Sequence, residues 1–222
     1  MLDCRNNVIY NWGFNSAYGG ELWPRNWINN YYKYGPATGE KVRDRIFLQK
    51  DPRGKMYCDG NFVWGFPEIS ANNWAGGIDF APDGEATEQT LRANAPYVVA
   101  PVDTQPAELA FNLVLDRAGC SKSRDPVDTR IIEEIRTGTA KFGEIYAGGG
   151  KGVIDSQTAV GGWPELQSVA PPADSDRDGM PDEWETSAEL NAEDPADGSK
   201  DRNNDGYTNL EEYLDALTHL GV

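Results

Sequence analysis

This chain of 222 residues contains one histidine, three cysteines and no long apolar run. Its one histidine, His219, lies far from any nucleophile motif, which argues against Ser-His-Asp and Cys-His catalysis. Three cysteines make neither a disulfide framework nor a zinc site. No run approaches the roughly 18 apolar residues that a membrane span needs. No basic-then-apolar leader is present, so we expect that one was removed or that the chain begins inside a larger product.

Positive charge is scarce at one end of the sequence. Residues 174–222 contain 3 Lys and Arg against 15 Asp and Glu, whereas residues 1–58 contain 9 against 5. The formal net charge of the whole chain is −16. This distribution argues against a general nucleic-acid binder. It suits an anionic ligand at the head of the chain and hard cations at its tail.

Three segments of the head share one pattern of residues. The segments 4–12, 27–35 and 58–66 align without gaps, and each carries an asparagine in the same column, namely Asn7, Asn30 and Asn61. These short segments begin at residues 4, 27 and 58, and strands that recur in this way along a chain predict a parallel β-helix. In a parallel β-helix, stacked asparagines form hydrogen bonds with one another at a bend. The alternative is three unrelated strands of an antiparallel sheet.

The same alignment places Cys4 and Cys58 in one column, two rungs apart. Two rungs are about 10 Å, which exceeds the roughly 7 Å limit between the Cα atoms of a disulfide. We therefore expect Cys4, Cys58 and Cys120 to be free thiols, buried as small apolar residues.

The remainder of the chain predicts loops, two helices and a separate tail. Residues 67–103 are rich in Gly, Asn and Pro and indicate long surface loops. One helix should begin at a cap on Asp103 or Thr104, and a second at Asp125. We expect a partial β-helix with flanking loops and helices over 1–168, a linker over 169–173 and a calcium-binding tail over 174–222.

Two acidic segments of the tail, 174–185 and 201–212, match the spacing of an EF-hand calcium loop. In that loop alternate side chains converge on the ion, a glycine permits the turn, and a final Glu closes the shell. Hard oxygen ligands without His or Cys favour Ca²⁺ over zinc or copper. The alternative is a merely solvated acidic tail. The predicted ligands are Asp174, Asp176, Asp178, Met180, Asp182 and Glu185, and Asp201, Asn203, Asp205, Tyr207, Asn209 and Glu212.

Several motifs together resemble a known family. The run "RNNVIYNWG…AYGGE…NNYYKYGPAT", the later "RDPVDTRIIEEIRTGT" and "GGWPEL", and the ending "DSDRDGMPDEWE…DGYTNLEEYL" resemble the C-terminal half of bacterial pectate lyases of polysaccharide lyase family 1. The tail is similar to thrombospondin-type-3 and dockerin-like calcium repeats. The resemblance implies a mainly β, right-handed parallel β-helix, secretion to the extracellular space or periplasm, and calcium-dependent β-elimination of polygalacturonate or oligogalacturonate.

This sequence also differs from the family pattern at the catalytic residues. In such lyases the residues that hold the catalytic calcium and abstract the proton lie on rungs before the segment that matches "RNNVIYNW". None of them can be assigned here, so we expect a weakened or missing catalytic centre. A bare first rung would be covered by a loop, a second copy of the chain or a refolded N-terminus. Similarity to dockerins implies a cohesin-like partner for the tail.

A basic stretch, 40–55, offers a surface for galacturonate, because Arg binds carboxylates bidentately. Within it Arg43 and Arg45 are the candidate catalytic residues. The candidate substrate-binding residues are Lys41, Lys50, Arg53, Lys55, Trp23 and Trp27, of which the tryptophans would stack on sugar rings. The alternatives are an ordinary charged loop between rungs and aromatics that serve as core.

Two other functions stay open. The chain could be a non-catalytic fragment that binds or attaches to carbohydrate through its calcium-stabilised tail. It could also be a glycoside hydrolase that uses two of Glu21, Asp44, Asp59 and Glu68, although no local motif selects a pair.

Overall fold

The computed structural model describes residues 1–20, 22–143 and 152–219. The chain divides into two compact units, Met1–Pro164 and Glu165–Val222, and each is considered by itself. No helix among the described residues has both the length and the apolar character to cross a membrane.

The first unit contains short parallel strands that stack in three ladders. Their bounds are β1 Leu2–Arg5, β2 Val8–Tyr10, β3 Arg25–Ile28, β4 Tyr31–Lys33, β5 Phe47–Gln49, β6 Met56–Asp59, β7 Phe62–Val63 and β8 Ile78–Phe80. The strand orders within the described residues are β1-β3-β6, β2-β4-β7 and β5-β8, and every pairing is parallel. The predicted stack is therefore present, and the antiparallel alternative is wrong.

The register agrees with the predicted columns. Val8 pairs with Tyr31, which in turn pairs with Phe62. Cys4 pairs with Trp27, which in turn pairs with Cys58, so the two cysteines lie two rungs apart as expected. The columns read from the sequence are thus the ladders of the structure.

The column of asparagines forms a continuous ladder of side-chain hydrogen bonds. The Nδ2 of Asn7 donates to Asn30 Oδ1 at 2.8 Å, and the Nδ2 of Asn30 donates to Asn61 Oδ1 at 2.8 Å. Asn61 continues the ladder to Asn73 Oδ1 at 2.9 Å, after the last strand of the stack. Because Asn30, Asn61 and Asn73 are buried, these bonds satisfy amide groups that would otherwise be costly to bury.

The residue before each ladder asparagine makes the bend between two strands. Asn6, Asn29 and Gly60 have φ angles of 52°, 51° and 68°, in the left-handed region that asparagine and glycine tolerate best. A Cβ on Gly60 would lie 1.9 Å from Asn29 Oδ1, so the third rung requires glycine. This explains the dipeptides Asn-Asn, Asn-Asn and Gly-Asn at the three bends.

Large apolar residues fill the interior of the first unit. Tyr32, Met56 and Leu91 are fully buried, and Trp27 packs edge-on against Phe47 at 5.2 Å between ring centroids. Trp27 Nε1 donates to Tyr32 Oη, so the polar ends of both rings have partners inside the core.

Helices occur in both units. In the first unit they are α1 Pro67–Ala71, α2 Glu88–Leu91, α3 Ala107–Arg117 and α4 Pro126–Thr137, with 3₁₀ turns at Glu40–Val42 and Gln157–Val160. In the second unit they are α5 Asp182–Ser187 and α6 Asn209–His219. Helices account for about 26% of the described residues and strands for about 13%. The expected mainly β class is therefore corrected to a mixed one.

The two predicted helices of the first unit are present, and the caps of one are as expected. Asp125 accepts from Val127 N and Asp128 N at the start of α4, and Gly138 ends that helix with φ 70°. The α3 helix begins later than predicted, at Ala107, after Pro106. Its predicted caps, Asp103 and Thr104, lie outside the helix, and Thr104 Oγ1 accepts from Arg5 Nη1 of β1 at 3.2 Å.

Two expectations about loops and thiols are corrected. Residues 67–103 contain α1, β8 and α2 rather than loop alone, because Ile69, Ile78 and Leu91 are buried in the core. All three cysteines are free, but only Cys58 is buried, Cys4 is half-buried and Cys120 is exposed.

The ladder predicts unequal losses of stability for the same substitution in one column. Asn30→Ala should lower the free energy of unfolding by about 3 kcal/mol, because it removes, from a buried position, the side-chain hydrogen bonds to Asn7 and to Asn61 on the two neighbouring rungs. Asn7→Ala, at the exposed end of the ladder, should cost only about 1 kcal/mol. Urea denaturation measures both values, and equal losses would contradict the ladder's role.

Thiol exposure predicts the order of alkylation. Burial raises the pKa of Cys4 to about 11 and that of Cys58 further, whereas Cys120 is exposed. Because the thiolate is the reactive form, Cys120 should react with iodoacetamide well before the other two. Mass spectrometry of the native protein checks this, with the urea-denatured protein as the control in which all three react. Early labelling of Cys58 would contradict the structure.

Candidate functional site

The first acidic loop, 174–185, gathers carboxylates around one point. Oxygens of Asp174, Asp176 and Asp178 all lie within 4.8 Å of one another. Their other oxygens fold the loop: Asp174 accepts from Arg177 N at 2.7 Å, and Asp178 Oδ1 accepts from Met180 N at 2.9 Å. Asp176 Oδ2 and Asp178 Oδ2 are buried and have no hydrogen-bond partner among the described residues.

Glu185, in the first turn of α5, closes this loop from the other side. Its side chain is 0% exposed, and neither carboxylate oxygen has a hydrogen-bond partner among the described residues. An oxygen of Glu185 lies within 4.8 Å of oxygens of Asp178 and Asp197. Burial, followed by the nearby charges of Asp176 and Asp178, raises the pKa of Glu185 to about 7. These oxygens fit a hard divalent cation, which would compensate the buried charge.

Asp182 and Met180 take other places in the first loop. The Asp182 carboxylate accepts from Ser175 N at 2.7 Å and from Ser175 Oγ at 2.8 Å. These hydrogen bonds lower the pKa of Asp182. Met180 is fully buried. The Asp182 carboxylate therefore closes the loop on itself, and its role as a ligand stays a prediction.

The second acidic loop, 201–212, repeats this folding. Asp201 accepts from Gly206 N at 2.9 Å, and Asp205 Oδ1 accepts from Tyr207 N at 2.9 Å. The buried Asn209 accepts from Arg202 N at 3.3 Å, as Asp182 does from Ser175 N. In both loops the side chain at the ninth position thus accepts from the backbone N–H at the second position, so the two loops share this part of their geometry.

The second loop differs from the first in that an arginine of the loop pairs with its final glutamate. Arg202 Nε lies 3.1 Å from Glu212 Oε2, while Glu212 Oε1 is buried without a hydrogen-bond partner among the described residues. Asn203 Nδ2 donates to Asp205 Oδ2 at 3.1 Å. Across residues 1–20, 22–143 and 152–219, three acidic side chains converge within 4.8 Å only around the first loop. The first loop is therefore the stronger candidate for a metal site.

Three of the six cations in the basic stretch, 40–55, are already paired. Arg45 binds Asp79 at 2.6 Å, Lys50 binds Asp83 at 2.5 Å, and Arg53 binds Asp51 at 2.5 Å. These carboxylates cancel much of the positive charge that the sequence offers to an anionic ligand. The stretch is also not a simple loop, since it contains the 3₁₀ turn Glu40–Val42 and strand β5.

The other three cations of this stretch have different surroundings. Arg43 lies over the ring of Tyr34, with its Cζ 4.9 Å from the ring centroid. Lys41 and Lys55 are exposed, and no described carboxylate lies within ion-pair distance of either. Lys41 and Lys55 are thus exposed positive charges without a described counter-charge, and both are available to an anionic ligand.

The two candidate tryptophans lie in different environments. Trp23 is 61% exposed and presents its ring to solvent. Trp27 is 7% exposed and belongs to the core, so its assignment as a sugar-stacking residue is corrected. The inward-pointing position of Trp27 between Cys4 and Cys58 in the ladder is the physical reason.

The described glycosidase candidates, Asp44, Asp59 and Glu68, lie on separate elements of the first unit. Glu21 lies outside the described residues. Asp59 ends β6 and accepts from Tyr57 Oη at 3.2 Å, while Glu68 lies in α1. Among the described residues, no hydrogen bond joins Asp44, Asp59 and Glu68 to one another.

Asp197 is the residue of this region that the sequence analysis missed. It lies between the two loops, outside the spacing of either, so no motif selects it. The only signal was its place in the acidic run 193–197, where three of five residues are Asp or Glu.

The chain is similar in sequence to fungal proteins. It is 29% identical over 222 residues to "Probable pectate lyase C" of Aspergillus terreus, covering 97% of this chain and 48% of the relative. It is 30% identical over 216 residues to the proteins of that name in Aspergillus flavus and Aspergillus oryzae, covering 96% of this chain and 47% of each relative. No protein-family model matches. A bacterial source, expected from the motifs, stays a prediction.

The chain spans about half the length of these curated relatives. The similarity extends over nearly all of this chain, including both compact units. The chain is therefore related in sequence to proteins named pectate lyase.

Proposed function

We propose that this chain is secreted and acts on anionic pectic polysaccharide, polygalacturonate or its oligomers, by calcium-assisted β-elimination. The observation that carries the proposal is the similarity to proteins named pectate lyase C over 96–97% of the chain. The stacked parallel ladders support it, since we propose that they form a segment of a right-handed parallel β-helix.

The described surface supports binding more directly than catalysis. Arg45, a candidate base, is held by Asp79, and Arg43 lies against Tyr34. Exposed Lys41, Lys55 and Trp23 could contact a carboxylated sugar chain, since a cation attracts its carboxylates and a flat ring stacks on its pyranose faces. A carbohydrate-binding fragment without catalysis is therefore the second candidate function.

We further propose that the second unit is a calcium-stabilised tail of the thrombospondin-type-3 or dockerin-like kind. Glu185 supports this, because a fully buried carboxylate with two unpartnered oxygens is costly unless a cation binds it. A cohesin-like partner for this tail and self-association through the first rung stay predictions.

The enzymatic proposal predicts a product that can be followed by its ultraviolet absorbance. The full chain, incubated with polygalacturonate and calcium, should generate the unsaturated uronate that β-elimination produces. No absorbance change at high protein concentration, together with retained binding in affinity electrophoresis, would reject catalysis and support the carbohydrate-binding alternative. Loss of both would reject the pectic substrate for this chain.

The proposed contact with polygalacturonate predicts that unpaired lysines contribute more to binding than a paired lysine does. Replacing Lys41 and Lys55 together by Ala should weaken polygalacturonate binding, and more so at low salt, because the contact is electrostatic. The matched control, Lys50→Ala, should have a smaller effect, since Asp83 already compensates Lys50. Affinity electrophoresis at two salt concentrations measures both. Equal effects would dismiss this surface.

Calcium binding predicts a metal-dependent rise in melting temperature. At about 100 times the dissociation constant, binding to the folded state alone contributes about 2.7 kcal/mol. Glu185→Gln should remove most of this gain, because it deletes a buried ligand charge, whereas Asp205→Asn in the second loop should remove less. Calorimetry with calcium and with chelator gives the comparison. An unchanged wild-type melting curve in chelator would reject the calcium tail.

A further inference from the structure

Asp197 points a carboxylate oxygen into the first acidic loop from outside its sequence. It lies beyond the end of α5, in neither 174–185 nor 201–212, and its side chain is 6% exposed. Its Oδ2 accepts from Asn191 N at 2.9 Å. Its Oδ1 is buried and has no hydrogen-bond partner among the described residues. One carboxylate oxygen of Asp197 thus has a structural partner and the other does not.

A carboxylate oxygen of Asp197 lies close to carboxylate oxygens of two other residues. Oxygens of Asp178, Glu185 and Asp197 all lie within 4.8 Å of one another, a spacing that places them on the surface of one coordination sphere. Among the described residues, no ion pair involves any of these three carboxylates. Glu185 is fully buried with both oxygens unpartnered, so these three carboxylates lie close together without a neighbouring cation among the described residues.

The backbone around Asp197 is fastened to the start of α6. Asn209 Nδ2 donates to the Asp197 carbonyl at 2.7 Å, and Leu210 N donates to the Gly198 carbonyl at 3.1 Å. Asn209 N also donates to the Lys200 carbonyl at 2.7 Å. These bonds hold the turn in place whatever the Asp197 carboxylate binds.

Gly198, which follows Asp197, allows the turn at 197–200 to pack closely against the first acidic loop. A Cβ added to Gly198 would lie 2.5 Å from Asp178 Oδ2, the oxygen that has no partner. The absence of a side chain at Gly198 therefore lets the turn approach Asp178 and bring the Asp197 carboxylate to the same centre.

We propose that Asp197 is a ligand of the cation bound by the first acidic loop, and that it completes the coordination shell from outside the loop motif. This inference rests on the proposed calcium-binding tail. The ion is a hard divalent cation of calcium's size, because every available ligand is an oxygen and several are carboxylates. Binding then joins the first loop, the turn at 197–200 and the start of α6 into one metal-dependent unit.

Isothermal titration of calcium into the metal-free full chain tests this assignment. Asp197→Asn preserves the size of the side chain but removes its charge, and it should weaken the tighter binding phase at least ~10-fold. The matched control is Asp194→Asn in the same turn, whose carboxylate accepts from Ala196 N and pairs with Lys200 away from the centre. Asp194→Asn should leave the affinity within about twofold of wild type.

The titration distinguishes failure of the Asp197 assignment from failure of calcium binding by the tail. Equal affinities for Asp197→Asn and Asp194→Asn, with normal binding by wild type, would overturn the role of Asp197 and leave the calcium tail standing. No calcium binding by wild type would overturn both.

A measurement on the wild type avoids any effect of the substitution on folding. Calcium should slow amide hydrogen exchange in 191–200 as well as in 174–185, because one ion contacts both segments. Protection confined to 174–185 would overturn the proposal.

Discussion

The asparagine ladder is the interaction on which the first unit depends. Asn7, Asn30 and Asn61 each follow a left-handed bend, so their amides turn inward and meet the amide of the next rung. An amide both donates and accepts, so a column of identical asparagines can satisfy its members in sequence. The buried ladder therefore fixes the register of two strand ladders at once, because a slip of one residue would break it.

The helices are positioned by the same bends and strands. Asn6 and Asn29, which form the bends, donate to the Gln105 carbonyl just before α3. On the next strand Lys33 Nζ donates to the carbonyls of Ile135 and Arg136 at the end of α4, each at 2.8 Å. A lysine at a helix C-terminus satisfies carbonyls that have no partner within the helix. Helix placement thus follows from rung geometry rather than from apolar packing alone.

What the sequence could predict depended on whether a feature repeats locally. The columns around Asn7, Asn30 and Asn61 were readable because each rung repeats the same bend and ladder residue. Strand β5 was missed because Phe47 and its neighbours lie within a charged stretch, and their partner strand β8 comes much later in the chain. The start of α3 was misplaced because tertiary hydrogen bonds from Asn6 and Asn29 occupy the Gln105 carbonyl, so the chain before Pro106 lies outside the helix.

In the acidic tail, too, the sequence predicted the two repeated loops but not the ion pairs that distinguish them. Its two loops share a spacing, yet Arg202 neutralises Glu212 in the second, whereas among the described residues no cation pairs with Glu185 in the first. Spacing alone cannot reveal this, because Arg202 and Asp197 lie outside the positions that define the motif. The second loop can therefore fold with its own counter-charge and hold Asp197 through Asn209. The first loop gathers carboxylates from separate segments, so its folding is the part that depends on a bound cation.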